Sequence, residues 1–226
     1  MTIAQNVAAV RARIADACRE AERDPADVTL IAVAKTFPPD AIRAAVHAGV
    51  GDIGENRAQE LKQKAAVLRD GAIRWHFVGP LQTNKVRSVV GTASLIHSVD
   101  RPGLAAAIAR RAHSLNLVQD VLVEVNLAGE ATKSGVEPPR TRAFAAECAA
   151  LDGMHVRGLM AIPPRGSPDQ VRDDFRMLAR LRDEVAKDVP SAIELSMGMT
   201  EDFEIAIAEG ATFVRVGRAI FGPRNR

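Results

Sequence analysis

Short apolar runs alternate with longer amphipathic segments along almost the whole chain, and this alternation limits the possible folds more than any other feature. Eight of the runs are typical of buried parallel strands, because each is short, rich in β-branched residues and mostly uncharged inside. Amphipathic segments separate them, and several begin at proline or at a capping residue. The predicted strands cover residues 30–35, 52–56, 74–79, 95–99, 121–126, 156–162, 192–197 and 213–217.

The amphipathic segments complete a series of βα units. Eight such units fit a closed barrel, and 226 residues are a normal length for one. We therefore predict the α/β class and a single (β/α)8 TIM barrel with an extra N-terminal helix, forming one domain over residues 1–226. An open, doubly wound sheet is the alternative. The predicted helices cover residues 4–22, 40–48, 57–68, 104–115, 140–151, 170–186 and 202–209.

The composition argues against several classes of function. Thirty basic and 28 acidic residues give a net charge of +2, with no long run of one sign, so we expect neither a nucleic-acid nor a membrane partner. The N-terminus lacks the pattern of a secretory signal and no run approaches a membrane span, which predicts a cytoplasmic protein. The two cysteines, Cys18 and Cys148, lie far apart without metal-ligand spacing, and we predict that they are packing residues.

A lysine closes the first predicted strand. Residues 30–34 are wholly apolar, and Lys35 follows at the carboxyl end, where barrels carry their functional residues. An amine at a desolvated barrel mouth has a lowered pKa, and the unprotonated amine can condense with a carbonyl compound. Lys35 is therefore a candidate for a Schiff base. The alternative is a lysine that extends its charge into solvent from the strand end.

Polar residues also follow or interrupt the next strands. Asn56 could face a hydroxyl group on the ring of a bound ligand. Glu55 and Arg57 could pair with each other or begin the next helix. His76 stands between two aromatic residues in the third strand, so we predict that it points into the barrel, either as a core residue or as a proton shuttle.

Further polar side chains fall inside the fourth and fifth strands. His97, Glu124 and Asn126 could simply fill polar layers of the barrel interior. None of these residues has the spacing of a metal motif such as His-Glu-x-x-His, so no metal is expected.

The last two strands lead into glycine-containing segments that are typical of a barrel phosphate site. After the seventh strand comes SMGMTED at residues 196–202, where Ser196 or Thr200 can donate a hydroxyl hydrogen bond. The eighth strand lies within VRVGRAIFG at residues 214–222, where Gly217 lets the backbone approach an anion. A lysine and a phosphate site on one rim indicate a phosphorylated aldehyde.

Five motifs give the chain a resemblance to a known family over nearly its whole length. The chain resembles the pyridoxal 5′-phosphate (PLP) homeostasis proteins, also called the YggS/PROSC family. That family is similar to the N-terminal barrel of alanine racemase and carries PLP on a lysine of the first strand. The motifs are AVAKT at residues 32–36, GENRAQE at 54–60, HFVGPLQTNK at 76–85, LSMGMTEDFE at 195–204 and VRVGRAIFG at 214–222.

The resemblance implies a role for each matching residue. Lys35 would form the Schiff base, Arg215 would face the pyridine nitrogen, and Asn56 and His76 would line the ring. Ser196 and the backbone around Gly217 and Arg218 would hold the phosphate. Thr200 stands where family members have serine. The implied cofactor-binding residues are Lys35, Asn56, His76, Ser196, Met199, Thr200, Arg215, Gly217 and Arg218.

Two features favour cofactor holding over catalysis. An arginine cation beside the pyridine nitrogen disfavours its protonation and so weakens PLP as an electron sink. Alanine racemases share that arginine but add a second β domain that supplies a tyrosine base, whereas the 226 residues here include no tyrosine. The resemblance thus implies a protein of PLP homeostasis that is not an enzyme, with PLP-dependent apoenzymes as possible recipients. The predicted helical faces show no apolar seam, which favours a monomer over a dimer.

Two other functions remain open. A weak PLP-dependent amino-acid racemase or lyase could use His76 or Lys35 as its proton shuttle. A Schiff-base aldolase acting on a sugar phosphate would need the same lysine and phosphate site without PLP.

Overall fold

Eight parallel strands close into a barrel in a computed structural model that describes residues 1–69, 71, 73–129 and 134–223. Each strand pairs with its neighbours in chain order, and the eighth returns to the first. This confirms the predicted TIM barrel and excludes the open sheet. The strands are β1 (Thr29–Val33), β2 (Asp52–Glu55), β3 (Arg74–Phe77), β4 (Leu95–Val99), β5 (Gln119–Glu124), β6 (Met154–Met160), β7 (Glu194–Ser196) and β8 (Phe213–Val216).

Helices surround the barrel, and proline stands in the first turn of α2, α4, α5 and α6, where its missing N–H costs no hydrogen bond. All predicted strand and helix limits lie within two residues of the observed ones. The helices are α1 (Ile3–Glu20), α2 (Pro39–His47), α3 (Ala58–Val67), α4 (Pro102–Ser114), α5 (Pro138–Ala149), α6 (Pro168–Ala186), α7 (Phe203–Ala208) and α8 (Arg218–Phe221), with 3-10 helices at Pro25–Asp27 and Thr83–Ser88.

The extra N-terminal helix, α1, supports the elements that follow β7 and β8. Arg13 of α1 donates to Glu204 of α7 at 2.7 Å, and its guanidinium lies 4.4 Å from the centre of the Phe203 ring. Asn6 donates to the carbonyl oxygen of Ile220 in α8 at 2.8 Å. The helix therefore fixes the positions of α7 and α8 relative to the barrel.

The first strand is shorter than predicted, which changes the setting of Lys35. The Ala34 N–H still donates to the carbonyl of Gly54 at 2.9 Å, but the strand ends at Val33. Thr36 then has a φ of 70°, a left-handed conformation that turns the chain away from the sheet. Lys35 therefore lies in the β1–α2 loop instead of within the strand.

Three other properties bear on function. Cys18 and Cys148 are buried free thiols, as predicted. Across the described ranges, no helix is long and apolar enough to cross a membrane. The same ranges contain no group of three histidine, cysteine or acidic side chains that could hold a metal ion.

Candidate functional site

Apart from His76, the predicted site residues lie within or directly after four strands that are consecutive around the barrel, namely β7, β8, β1 and β2. The carboxyl ends of parallel strands open on one face, so the loops that follow these strands share a rim. Ser196 and Arg215 lie within β7 and β8, and His76 lies in β3. The loops or helix starts that follow the four strands contribute Lys35, Asn56, Met199, Thr200, Gly217 and Arg218.

Two charged side chains of α3 hold the backbone on both sides of Lys35. Lys64 donates to the carbonyl oxygen of Ala34 at 3.0 Å. On the other side, the N–H of Thr36 donates to Glu60 at 2.9 Å. The peptide groups that flank Lys35 are therefore fixed, and Lys35 itself is partly buried.

The buried carboxylate of Glu55 completes this arrangement. Lys64 Nζ lies 2.7 Å from Glu55 and 3.1 Å from Glu60, and we call these three residues the Lys64 cluster. Burial raises the pKa of Glu55 to about 7, although Lys64 acts in the opposite direction. The possible pair of Glu55 with Arg57 is not formed. Arg57 instead precedes α3, and its Nη1 lies 3.5 Å from Glu60 Oε1.

Glycines let the loops after β7 and β8 lie close to their neighbours. Gly198 has a φ of 89°, and an added Cβ would lie 2.6 Å from the Cβ of Ala206. An added Cβ at Gly217 would lie 3.1 Å from the carbonyl oxygen of Val33, so the end of β8 lies close to the end of β1. Gly217 precedes α8, and the first N–H groups of a helix have no acceptor within it.

The two loops are also joined by side chains. Arg218 is exposed and donates to Glu201 at 2.6 Å, which links the segment after β8 to the loop after β7. Within that loop, the N–H of Met199 donates to Asp202 at 2.5 Å. Thr200 is half-buried and Met199 is exposed. The loop after β7 is therefore partly exposed and is tied to the segment after β8.

Arg215 is buried in the barrel below these loops. Its Nη1 donates to Ser196 Oγ at 2.6 Å, and its Nη2 donates to the carbonyl oxygen of Ala161 at 3.0 Å. Burial lowers its pKa to about 10, while the negative charges of Asp202 and Glu124 act in the opposite direction. Arg215 thus remains a cation near neutral pH, in a fixed orientation.

Ser196 lies inside the barrel, between Arg215 and His97. The side chain is fully buried. Its Oγ accepts from Arg215 at 2.6 Å and lies 2.8 Å from His97 Nδ1. Because both contacts lie inside the barrel, Ser196 holds the Arg215 guanidinium in place, and its contact with a phosphate stays a prediction.

His76 points into the barrel, as predicted. Its Nε2 lies 2.9 Å from Asp52 Oδ1, and its Nδ1 lies 3.0 Å from His97 Nε2. Both ring nitrogens are therefore engaged inside the barrel. The sequence analysis missed Asp52, because this residue opens its strand at the end opposite to the rim. One feature of the sequence could have indicated Asp52. It is an acidic residue at the start of β2, whereas the other polar residue of this strand, Glu55, stands at the rim.

Outside the Lys64 cluster, two polar atoms at the carboxyl end of the barrel are buried without a hydrogen-bond partner among the described residues. They are Asn56 Oδ1, after β2, and Glu124 Oε2, at the end of β5. Burial raises the pKa of Glu124 to about 7, and the charge of Asp100 adds to this effect. Buried polar atoms are rarely left unpaired, so these two indicate a face that receives a polar ligand.

Known proteins resemble this chain in sequence and in fold. The family model for the alanine racemase N-terminal domain matches residues 5–225. A pyridoxal phosphate homeostasis protein of Aquifex aeolicus is 46% identical, and the match covers 100% of both chains. The structure of PipY from Synechococcus elongatus with PLP bound is 36% identical with a TM-score of 0.87, covering 98% of this chain and 100% of that one. An alanine racemase from Corynebacterium glutamicum, 15% identical, shares the fold with a TM-score of 0.75, covering 98% of this chain and 61% of that one.

Proposed function

The chain belongs to the family of pyridoxal phosphate homeostasis proteins, and from this membership we propose that it holds PLP as a Schiff base on Lys35 without committed catalysis. The observation that carries the proposal is the rim on which Lys35, the glycine loops after β7 and β8, and the buried Arg215 come together. The relatives support PLP as the ligand, since they are named for its homeostasis and PipY was solved with PLP bound.

The loops after β7 and β8 fit the phosphate of PLP. Gly198 and Gly217 bring the backbone close, Thr200 carries a hydroxyl group, and Arg218 adds a positive charge. Gly217 lies against Val33, two residues before Lys35. An anion bound at Gly217 would therefore lie beside the lysine, as a phosphorylated aldehyde requires.

The ring of PLP fits the remaining groups. Arg215 would face the pyridine nitrogen, and the unpaired Oδ1 of Asn56 would accept a hydrogen bond from the ring hydroxyl. When bound, PLP supplies an aldehyde carbon with which the amine of Lys35 condenses, with loss of water. A cation beside the pyridine nitrogen disfavours its protonation, which suits holding the cofactor better than carbanion chemistry.

The oligomeric state, the location and the delivery of PLP are further parts of the same proposal. A single PLP-binding barrel over residues 1–226 would act as a monomer in the cytoplasm and deliver PLP to apoenzymes. The two free, buried cysteines suit a reducing compartment. Sedimentation of the protein with and without PLP tests the oligomeric state, and a dimer would contradict the proposed monomer.

Titration with PLP, followed by absorbance, tests the proposal. Wild type and Lys85→Ala, in which an exposed lysine is removed, should both develop a visible imine band. Lys35→Ala should lose the band but retain weak binding through the phosphate site. Complete loss of binding in Lys35→Ala would mean that the phosphate site is misassigned.

A second measurement separates the proposal from the enzyme alternative. Exchange of the α-proton of amino acids in deuterated water should be negligible for the PLP-loaded protein. Exchange that is rapid and depends on Lys35 would instead support a racemase or lyase.

A further inference from the structure

A continuous chain of hydrogen-bond contacts runs through the barrel interior to Arg215. We call it the interior relay, and its five residues come from β2, β3, β4, β7 and β8. All five side chains are more than nine-tenths buried. The contacts are Asp52 Oδ1 to His76 Nε2 at 2.9 Å, His76 Nδ1 to His97 Nε2 at 3.0 Å, His97 Nδ1 to Ser196 Oγ at 2.8 Å, and Arg215 Nη1 to Ser196 Oγ at 2.6 Å.

The two ends of the relay determine the direction of every bond between them. An ionised Asp52 can only accept, so His76 Nε2 must carry a hydrogen. A neutral His76 then accepts at Nδ1, which requires a hydrogen on His97 Nε2. A neutral His97 in turn accepts at Nδ1 from the Ser196 hydroxyl. Since Arg215 can only donate, Ser196 Oγ accepts from it. Every group is satisfied when both imidazoles are neutral.

The surroundings of the relay favour an ionised Asp52 and a neutral His97. Burial lowers the pKa of His97 well below its usual value, and the positive charge of Arg215 adds to this effect. Burial opposes ionisation of Asp52, but hydrogen bonds from His76 and Arg74 outweigh it and lower its pKa.

The other groups near the relay are the apolar ring of Phe213 and two carboxylates that act on Arg215. The ring of Phe213 lies 5.8 Å from both imidazole centres. The negative charges near Arg215 belong to Asp202 and Glu124. No carboxylate contacts His97 among the described residues, so nothing there would hold a second proton on it.

We propose that Asp52, His76 and His97 are positioning residues for the cofactor, because they orient the Ser196 hydroxyl and, through it, the Arg215 guanidinium that faces the pyridine nitrogen. This inference rests on the proposed function. When the hydroxyl hydrogen of Ser196 points to His97, the oxygen lone pairs are directed to Arg215. If the hydrogen bonds ran in the opposite direction, His97 Nδ1 would donate to Ser196 Oγ. The hydroxyl hydrogen of Ser196 would then have to point away from His97.

Nitrogen NMR of the PLP-free protein, labelled with ¹⁵N in its five histidines, tests the direction of the relay. His97 should be a neutral Nε2–H tautomer that accepts from Ser196 at Nδ1. Asp52→Leu removes the acceptor and should change the tautomer populations at His97, which Asp52 does not touch. A wild-type His97 protonated at Nδ1, or His97 signals unaffected by Asp52→Leu, would overturn the proposal.

Binding of PLP tests the consequence for the cofactor. His97→Phe and Asp52→Leu should raise the dissociation constant about tenfold, the loss of one buried hydrogen bond of average strength, and should shift the visible band. His113→Phe makes the same exchange as His97→Phe at an exposed position and should bind like wild type. Asp52→Asn keeps a carbonyl acceptor for His76 at similar volume, so it should retain most of the affinity that Asp52→Leu loses.

The outcomes distinguish this inference from the proposed function. Failure of wild type to bind PLP would refute the proposed function, while the NMR result on the free protein would still test the relay. If wild type binds at Lys35, and folded His97→Phe and Asp52→Leu bind PLP equally well with the same spectrum, the relay has no positioning role. Circular dichroism verifies folding, and if neither of these variants folds, the tautomers of wild type and Asp52→Asn decide.

Discussion

Replacement of Lys64 by methionine should destabilise the protein by an amount that depends on pH. Lys64 is 8% exposed and makes three hydrogen bonds of 2.7 to 3.1 Å, to Glu55, Ala34 and Glu60. Glu55 is fully buried, and its Oε2 already lacks a partner within the described part of the chain. Loss of the cation leaves this carboxylate uncompensated, and breaking such a buried pair costs about 3–5 kcal/mol.

The sign of the pH effect follows from the pKa of Glu55. Burial raises this pKa from 4.5 to about 7, and Lys64 opposes the rise, so Lys64→Met should raise the pKa further. A carboxyl group whose pKa is raised on folding favours the folded state when protonated, and this contribution is lost as the pH rises through the folded pKa. The deficit of Lys64→Met should therefore be largest above about pH 8. Near pH 5.5 only about 1–1.5 kcal/mol should remain, from the hydrogen bonds lost.

Urea unfolding at these two pH values measures the deficit. Lys62→Met makes the same exchange two residues away at an exposed position and should change the free energy of unfolding by less than about 0.5 kcal/mol. Lys64→Met should also weaken PLP binding, because the Ala34 carbonyl next to Lys35 loses its donor. A deficit below about 1 kcal/mol at both pH values, or one independent of pH, would refute this reasoning.

Three further substitutions test other parts of the site. Glu124→Gln should raise the free energy of unfolding by up to about 3 kcal/mol above pH 8 and leave it unchanged at low pH, because burial raises the pKa of Glu124 to about 7. A difference in thermal melts that does not depend on pH would contradict this. Gly198→Ala should cost about 1–3 kcal/mol and weaken PLP binding because of its φ of 89°, whereas Gly103→Ala, which meets open space, should do neither. Thr200→Ser should keep PLP affinity and Thr200→Val should lose about fivefold; equal affinities in titrations would remove the hydroxyl from the phosphate site.

The architecture was predictable because the apolar runs and the amphipathic segments both indicate a series of βα units. The run before Lys35 is apolar, the run before Gly217 is apolar except for Arg215, and neither has a helical period. The segments between the strands do have a helical period, so the limits of the elements were predicted to within two residues. The carboxyl ends of parallel strands lie on one face of a barrel. The positions of Lys35, Asn56, Thr200 and Gly217 near strand ends therefore predicted a common rim.

The contacts inside the barrel were not predictable from the sequence. The pairing of His76 with Asp52 and His97 depends on the stagger of strands around the barrel, which shifts residues of different strands to one height. Glu55 pairs with Lys64 because α3 folds back over β2, although Arg57 is closer in sequence. Ser196 was assigned to the phosphate from its neighbours in the motif, whereas its side chain points inward to Arg215.

Reduction of the PLP-loaded protein with borohydride, followed by peptide mass mapping, tests the central claim most directly. The account predicts one pyridoxyl group per chain, on Lys35, and little modification of exposed lysines such as Lys62 and Lys85. Modification scattered over surface lysines, or Lys35 recovered unmodified, would contradict it.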